Sequence, residues 1–492
     1  MTNFTTSGTA GPAVGRPALA SPQTAAIPAA AARRSPMPVL MCGTFMIVLD
    51  FFIVNVALPA IQAKLHASAG ATEWVVAGYG LTFAVFLITA GRLGDRYGRR
   101  RIFGAGLVLF VLASAMCGLA PTAAVLVVAR LAQGLGGALM SPTVLAIIGV
   151  AYPGPARVRA ITIYGMVMGL AAAGGQLLGG LAIQLDLFGL GWRAVFLVNV
   201  PVGLLALAFT RRHVPESGAD HATALDLPGM ALVTLALSAL VLPLIEGTQL
   251  HWPAWTWASL AAVPLLLGLL AVSQVRTARR GGATLLDPIL FRRRTLAAGL
   301  ATQLAFWCGQ ASFFLVLALY LQLGLGLSAL QAGLMFSALA VAYLAASLRA
   351  PALTVRYGRS LITTGAMTLA AGEGVLLFTA ATRHGVGASP ALWLVPCLIL
   401  AGAGIGLAIT PLTTTVLAHA DPQRAGAVAG ALSTMQQVGN AVGVAVTGVI
   451  FFGSVQHGYL RAFELSMAQL SCLLLAVAAL SRPLPAPKKG RR

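Results

Sequence analysis

An aspartate, Asp50, interrupts the apolar run MIVLDFFIVNVAL at 46–58, and an arginine, Arg130, interrupts a second, AAVLVVARLAQGL, at 123–135. A charge held in hydrocarbon costs several kcal/mol unless it is paired or hydrated, so each is a functional candidate by default. At about 1.5 Å per helical residue, Asp50 lies roughly 15 Å below the end of its run near Ala60, and Arg130 roughly 12 Å below the start of its own near Thr122. The two share a depth and can meet if both face a common cavity. Such a pair can bind and release a proton; a permanent structural ion pair is the other reading of the same two residues. Asn55 and Gln133, from the same runs, are expected at that cavity.

A third run carries Gln303, Phe306, Gln310 and Phe314, spaced by three or four residues and therefore on one helical face, with Trp307 beside them. A stripe of aromatic rings and amides suits a bulky, partly apolar ligand, whereas helix packing is its commoner use. Glu373 is another deep acid. No phosphate-binding lysine stands in a Gly-rich loop, because the lysines are Lys64, Lys488 and Lys489, so a nucleotide-driven pump is excluded. The glycine clusters at 134–137 and 402–406 lie in apolar runs and read as close helix packing. The seven histidines show no ligand spacing and no metal site is expected; the five cysteines are scattered and suggest no disulfide framework. With no cluster of nucleophile, base and metal, the chain does not read as an enzyme.

The elements that position these residues follow from composition. The 492 residues are 58% hydrophobic with mean hydropathy +0.87, far too apolar for a soluble globule. About fourteen apolar segments are each long enough to cross a hydrocarbon core of roughly 30 Å as a helix. They lack period-2 alternation, which excludes a β-barrel. The net charge of +20 would suggest nucleic acid in a soluble protein, but here its placement decides. With a cytoplasmic N-terminus, Lys64, Arg193, Arg383 and Arg461 alone fall on the far side, Arg130 lies within a span, and every other Lys or Arg is cytoplasmic. This is positive-inside topology, and an even number of spans returns the C-terminus to the cytoplasm. The partners implied are the lipid bilayer and small molecules, with no nucleic acid.

Two halves repeat: RYGRR at 96–100 matches RYGRS at 356–360, GGALMSPTVL at 136–145 matches IGLAITPLTT at 405–414, and PAR at 155–157 matches PQR at 422–424. The expected organisation is a disordered tail at 1–36, a six-helix bundle at 37–212, linkers and an inserted helical hairpin at 213–294, a second six-helix bundle at 295–481 and a basic tail at 482–492. Two parallel six-span repeats fit the plan of a secondary transporter with its substrate site between the halves.

The first repeat copy, GRLGDRYGRRRI at 91–102, gathers five arginines and one aspartate. It resembles the loop between spans 2 and 3 of the major facilitator superfamily. LDFFIVNVALPAI at 49–61, RLAQGLGGALMSP at 130–142, GWRAVFLVNVPVG at 191–203 and the pair LDLPGMAL at 225–232 and LIEG at 244–247 resemble, in order, motifs of its fourteen-span drug:proton antiporter family. The resemblance covers nearly all of the chain after residue 37. It implies an all-α membrane fold of two six-helix bundles plus an inserted hairpin, and a proton-coupled exporter of amphipathic, drug-like compounds that uses the proton gradient and no cofactor. A dedicated exporter of one natural product or lipid-like metabolite, an importer and a non-transporting membrane sensor are the alternatives. A monomer in a bacterial plasma membrane is expected.

By the same resemblance, Asp50 and Arg130 couple protons, while Gly91, Gly94, Asp95, Arg96, Gly98 and Arg99 form a cytoplasmic gate. Gly91 and Gly94 would let span 2 approach a neighbour, and Asp95 would face the positive N-terminal end of span 13 near Ala425; the second copy has Val355 at the aspartate position. Gly169, Gly175, Gly179 and Gly180 carry the packing motif of span 5, but Gln176 replaces its usual proline, which removes an expected kink. Asn55, Gln133, Gln303, Phe306, Gln310 and Phe314 would line the substrate cavity, and Glu373 would lie peripheral to it, in a structural hydrogen bond.

Overall fold

The computed structural model describes residues 35–153, 155–218, 226–247, 250–280, 293–382, 391–418 and 425–484, with positions 2, 282, 284, 285 and 288. Nearly all of the N-terminal tail, Arg383, the 422–424 repeat copy, the basic residues after Leu484 and the side chains of Val355 and Ala425 lie outside this description.

All regular elements among the described residues are helical: α1 (Met37–Leu65), α2 (Ala69–Tyr97), α3 (Arg99–Leu119), α4 (Ala123–Ala151), α5 (Pro155–Leu185), α6 (Asn199–His213), α7 (Leu227–Gly247), α8 (Ala254–Arg279), α9 (Arg294–Leu319), α10 (Ala329–Tyr357), α11 (Ser360–Thr382), α12 (Val395–Ala418), α13 (Ala425–Ser454) and α14 (Tyr459–Leu480). Short helical turns from Gly191 lead into α6. Counting Gly191–His213 as one span, 13 of the described helices are long and apolar enough to cross a membrane, and α5, bent by 41° between Arg159–Ala172 and Gly174–Leu185, makes up to 14. The chain is thus a multi-pass, all-helical membrane protein.

Sequence chemistry sets several helix boundaries. Ser68 caps α2 by accepting from the Ala71 amide at 3.2 Å, and Thr122 caps α4 by accepting from Val125 at 3.3 Å. Ser328 and Gln331 form a reciprocal capping box at α10. The GRLGDRYGRR stretch is not an open loop: α2 continues through it to Tyr97, and α3 begins at Arg99. The single break is Gly98, whose φ of +103° strains any side-chain-bearing residue. The second copy repeats the design, with α10 ending at Tyr357, Gly358 at φ +54° and α11 starting at Ser360. Both helices run on past their apolar segments because arginines and an aspartate are tolerated on a helix that has left the hydrocarbon.

The expected loss of a kink in α5 is corrected by its 41° bend. Adjacent glycines, Gly174 and Gly175, provide the flexibility that proline would otherwise supply. Gly175 lies against Phe52 and Gly179 against Ile53 of α1, and a side chain at Gly180 would sit 2.8 Å from the Leu330 backbone of α10. Gly169 has only ordinary contact with Leu344. The Gly180 approach joins the halves near the end of the bundle that carries the α1–α2 turn. There Gln322, just beyond α9, donates to the Val56 carbonyl of α1 at 3.1 Å, and Phe52 meets Phe314 edge to face at 5.1 Å.

Candidate functional site

Asp50 and Arg130 meet inside the first half, both fully buried. Arg130 Nη1 donates to Asp50 Oδ2 and to Gln133 Oε1 at 2.7 Å, while its Nε donates to the Val75 carbonyl at 2.7 Å. Gln133 Nε2 donates to Asp50 Oδ1 and to Ser114 Oγ, each at 2.7 Å. Asn199 Nδ2 adds a further bond to Asp50 Oδ1 at 3.0 Å. The aspartate is therefore held by α1, α4 and α6 together. Such a network stabilises the ionised pair in a medium that would otherwise expel it.

The pair does not face the central cavity, contrary to the expectation that a shared cavity would bring the two residues together. Tyr79 of α2 stands between. Its ring lies 4.4 Å from the Arg130 guanidinium, its hydroxyl reaches the Ile47 carbonyl at 3.3 Å, and it also forms part of the cavity wall. The cavity, about 170 Å³, is lined by both halves. Phe51, Phe52, Tyr79, Phe83, Tyr164, Trp307, Phe314, Phe336 and Tyr343 supply its aromatic surface, and Gln176, Gln310, Gln436, Gln437 and Asn440 its amides. Thr44, Leu87, Ser141 and Tyr164 extend it toward the end where α1 begins, opposite the end where the halves are joined.

Of the expected cavity residues, Gln310 and Phe314 line this space. Asn55, Gln133, Gln303 and Phe306 are buried but do not line it. Gln133 belongs to the ion-pair network, and Asn55 turns back on the Phe52 carbonyl at 3.3 Å. One helical face can present only part of a four-residue stripe to a cavity that ends partway along the helix. Gln176, placed by sequence in a packing motif, lines the cavity. Glu373 sits between α11 and α14, where Ser471 Oγ lies 3.5 Å from its Oε2.

At the end of α2, Asp95 accepts from Arg99 Nη2 at 2.7 Å and Nε at 3.0 Å. Its described partner is thus local, rather than a helix end of the other half, because Gly98 turns Arg99 back over the last turn of α2. A side chain added at Gly94 would lie 3.0 Å from Thr143 of α4, and one at Gly91 would meet Pro142 more loosely. Arg96 lies over Tyr97. Glu216, which follows α6, accepts from the Arg100 amide at 3.0 Å and pairs with Arg100 at 3.5 Å and Arg101 at 3.7 Å. The linker after α6 therefore straps the α2–α3 turn, a role the sequence signals only as one acid following a basic cluster.

Sequence reasoning also passed over Asn199, the one amide in the apolar stretch RAVFLVNVPVG, and Glu73 of α2. Glu73 is 1% exposed, and its Oε2 has no hydrogen-bond partner. Among the described residues, no group of three or more metal-ligating side chains occurs.

Comparison with known proteins agrees with this architecture. The Major Facilitator Superfamily model matches residues 40–444. The chain is 41% identical over 434 residues to the probable actinorhodin transporter of Streptomyces coelicolor, covering 87% of this chain and 74% of that one. It is 36% identical to the multidrug resistance protein Stp of Mycobacterium tuberculosis, covering 83% and 74%. Among solved structures, a D-xylose-proton symporter superposes with TM-score 0.65 at 16% identity, covering 92% of this chain and 98% of that one, which shows the shared fold. From motif order, helical architecture and this family match together, the chain belongs to the Major Facilitator Superfamily and is a membrane transporter rather than an enzyme.

Proposed function

We propose that the protein is a proton-coupled efflux transporter that exports amphipathic compounds by alternating access from a bacterial plasma membrane, with both termini cytoplasmic. The observation that carries this reading is the buried Asp50–Arg130 pair set directly behind Tyr79 in the cavity wall. Protonation of Asp50 would release Arg130 from its counter-charge. The freed guanidinium, still bound to the Val75 carbonyl and the Tyr79 ring, would then pull on α2, one of the helices that closes against the other half. With the N-terminus cytoplasmic, the cavity faces the cytoplasm and the joined end faces outward. Names of relatives that refer to multidrug resistance and to resistance and export support export over import.

Everted vesicles with an imposed pH gradient test the coupling. Wild-type protein should drive substrate accumulation, and Asp50→Asn should abolish it while inserting normally. Gradient-driven flux equal to wild type in that variant would remove Asp50 as the coupling group. The higher identity to a transporter named for one compound than to a multidrug protein favours a second reading, an exporter dedicated to a single natural product; flux across a chemically diverse substrate panel separates the two.

A further inference from the structure

The polar atoms around the cavity are arranged differently from its charges. Among the described residues, no Asp, Glu, Lys, Arg or His lines it. Asp50 and Arg130 lie behind Tyr79 and neutralise one another. Yet four lining side chains carry buried polar atoms with no partner: Gln176 at both Oε1 and Nε2, Gln310 at Oε1, Asn440 at Oδ1 and Trp307 at Nε1. They come from α5, α9 and α13, so both halves contribute. An amide or indole group without a protein partner takes its bond from water or from a ligand, so a ligand that displaces the water must replace that bond or lose affinity.

We propose that Gln176, Gln310, Asn440 and Trp307 form a polar clamp that selects uncharged, flat aromatic substrates bearing both hydrogen-bond acceptors and donors. Gln176 Nε2 and the Trp307 indole donate to carbonyl or ether oxygens, while the Gln176, Gln310 and Asn440 oxygens accept from hydroxyl or amide groups. The aromatic walls take the flat faces: Phe52 on Phe314 at 5.1 Å and Phe314 stacked on Phe336 at 5.6 Å give a surface continuous across both halves. Aromatic walls alone would equally suit a quaternary ammonium, which binds ring faces without hydrogen bonds. That ligand, however, would leave all of these polar atoms unpaired, and the cavity wall offers it no carboxylate. The position of Gln176 strengthens the assignment. Because Gly174 and Gly175 allow the bend of α5, residue 176 is free to present an amide where a proline would offer only an apolar ring.

The inference rests on the cavity being the substrate site, and the test separates the two claims. Titration calorimetry on the purified full chain in detergent, with no gradient present, would use 1,8-dihydroxyanthraquinone as the uncharged planar probe and ethidium as the planar cation. Wild type should bind the quinone at least about tenfold more tightly than ethidium. Gln310→Leu should weaken quinone binding by about three- to tenfold, the loss of one hydrogen bond, and Gln176→Leu, which loses a donor and an acceptor, by at least as much, without changing ethidium. Gln176→Glu, nearly isosteric, should gain ethidium affinity and lose quinone affinity, and it carries the test if a leucine variant aggregates. Ethidium bound as tightly as the quinone, no saturable quinone binding, or quinone binding unchanged in both Gln176 variants would each overturn the clamp. Quinone binding lost in Phe314→Ala but kept in the Gln176 variants would retain the cavity and discard the clamp; binding unaffected by all three would discard the cavity as well.

Discussion

The Tyr79 ring faces the Arg130 guanidinium at 4.4 Å on one side and the central cavity on the other. It therefore joins the wall of the cavity to the charge pair behind it. From Tyr79 the rings continue through Phe51 at 6.2 Å, Phe52, and Phe314 of the second half. A ligand that shifts this wall must also shift the surface against which Arg130 rests.

Tyr79 variants should accordingly alter coupling rather than stability alone. Tyr79→Phe keeps the ring and should keep most gradient-driven transport. Tyr79→Leu removes a buried cation–π contact of roughly 1–2 kcal/mol and should lower the number of protons moved per substrate. Simultaneous measurement of proton and substrate flux in vesicles decides this; an unchanged ratio in Tyr79→Leu would show that the ring only fills space.

The ion pair predicts a non-additive double-mutant cycle. Arg130→Ala leaves a buried carboxylate without its cation and should destabilise the protein by about 3–5 kcal/mol. Adding Asp50→Asn to that variant removes the stranded charge and should restore a large part of the loss, because the Asn side chain can still bond to Gln133 and Asn199. Thermal unfolding in detergent, followed by monodispersity, gives the comparison. Strictly additive losses would mean that the two residues are not energetically paired.

The parts of this arrangement that depend on depth and period were legible in the sequence. Asp50 and Arg130 could be matched because helical rise fixes depth from residue number, and the helix count follows from apolar run length. Side-chain direction was not legible to the same degree. Where the cavity ends along α9, set by tertiary packing, decides that Gln310 reaches it while Gln303 and Phe306 on the same face do not. Gln176 was misread because a glycine-rich context signals packing, whereas the 41° bend of α5 leaves that one side chain on the cavity wall. The Glu216 strap was hidden because its partners, Arg100 and Arg101, lie more than a hundred residues away in the chain.

Asp95 should control the balance between conformations. In the present arrangement it is held by Arg99, so it contributes no described contact to the other half while the cavity extends toward its end of the bundle. If Asp95 instead latches that end shut in the alternative state, Asp95→Ala should increase the population seen here. A cysteine placed at Ser433 on the cavity wall, in a background lacking native cysteines, should then react faster with a membrane-impermeant thiol reagent added from the cytoplasmic side. Equal rates with and without Asp95 would remove the latch.

Glu73 offers a stability prediction of opposite sign to most substitutions in a packed membrane bundle. Its carboxylate is buried at the seam between α2 and α13, where a side chain added at Gly448 would lie 2.5 Å from the partnerless Oε2. The neighbouring Trp74 donates to Glu246 of α7 at 2.8 Å, which places a second carboxylate near enough to repel the first. Glu73→Gln removes the cost of burying an ionisable carboxyl beside a second carboxylate, with almost no change of shape. It should stabilise the protein by about 1–2 kcal/mol at neutral pH, because the carboxyl is ionised in the unfolded chain and penalised on burial, whereas the amide is neutral in both states. The gain should shrink as pH falls into the ordinary carboxylate range, because the unfolded chain's carboxyl is then uncharged as well. Gly448→Ala should act in the other direction by crowding the same oxygen. Unfolding midpoints of the three proteins measured across pH would distinguish the cases: a Glu73→Gln variant less stable than wild type at neutral pH would mean that the carboxylate makes a favourable interaction that the amide cannot reproduce.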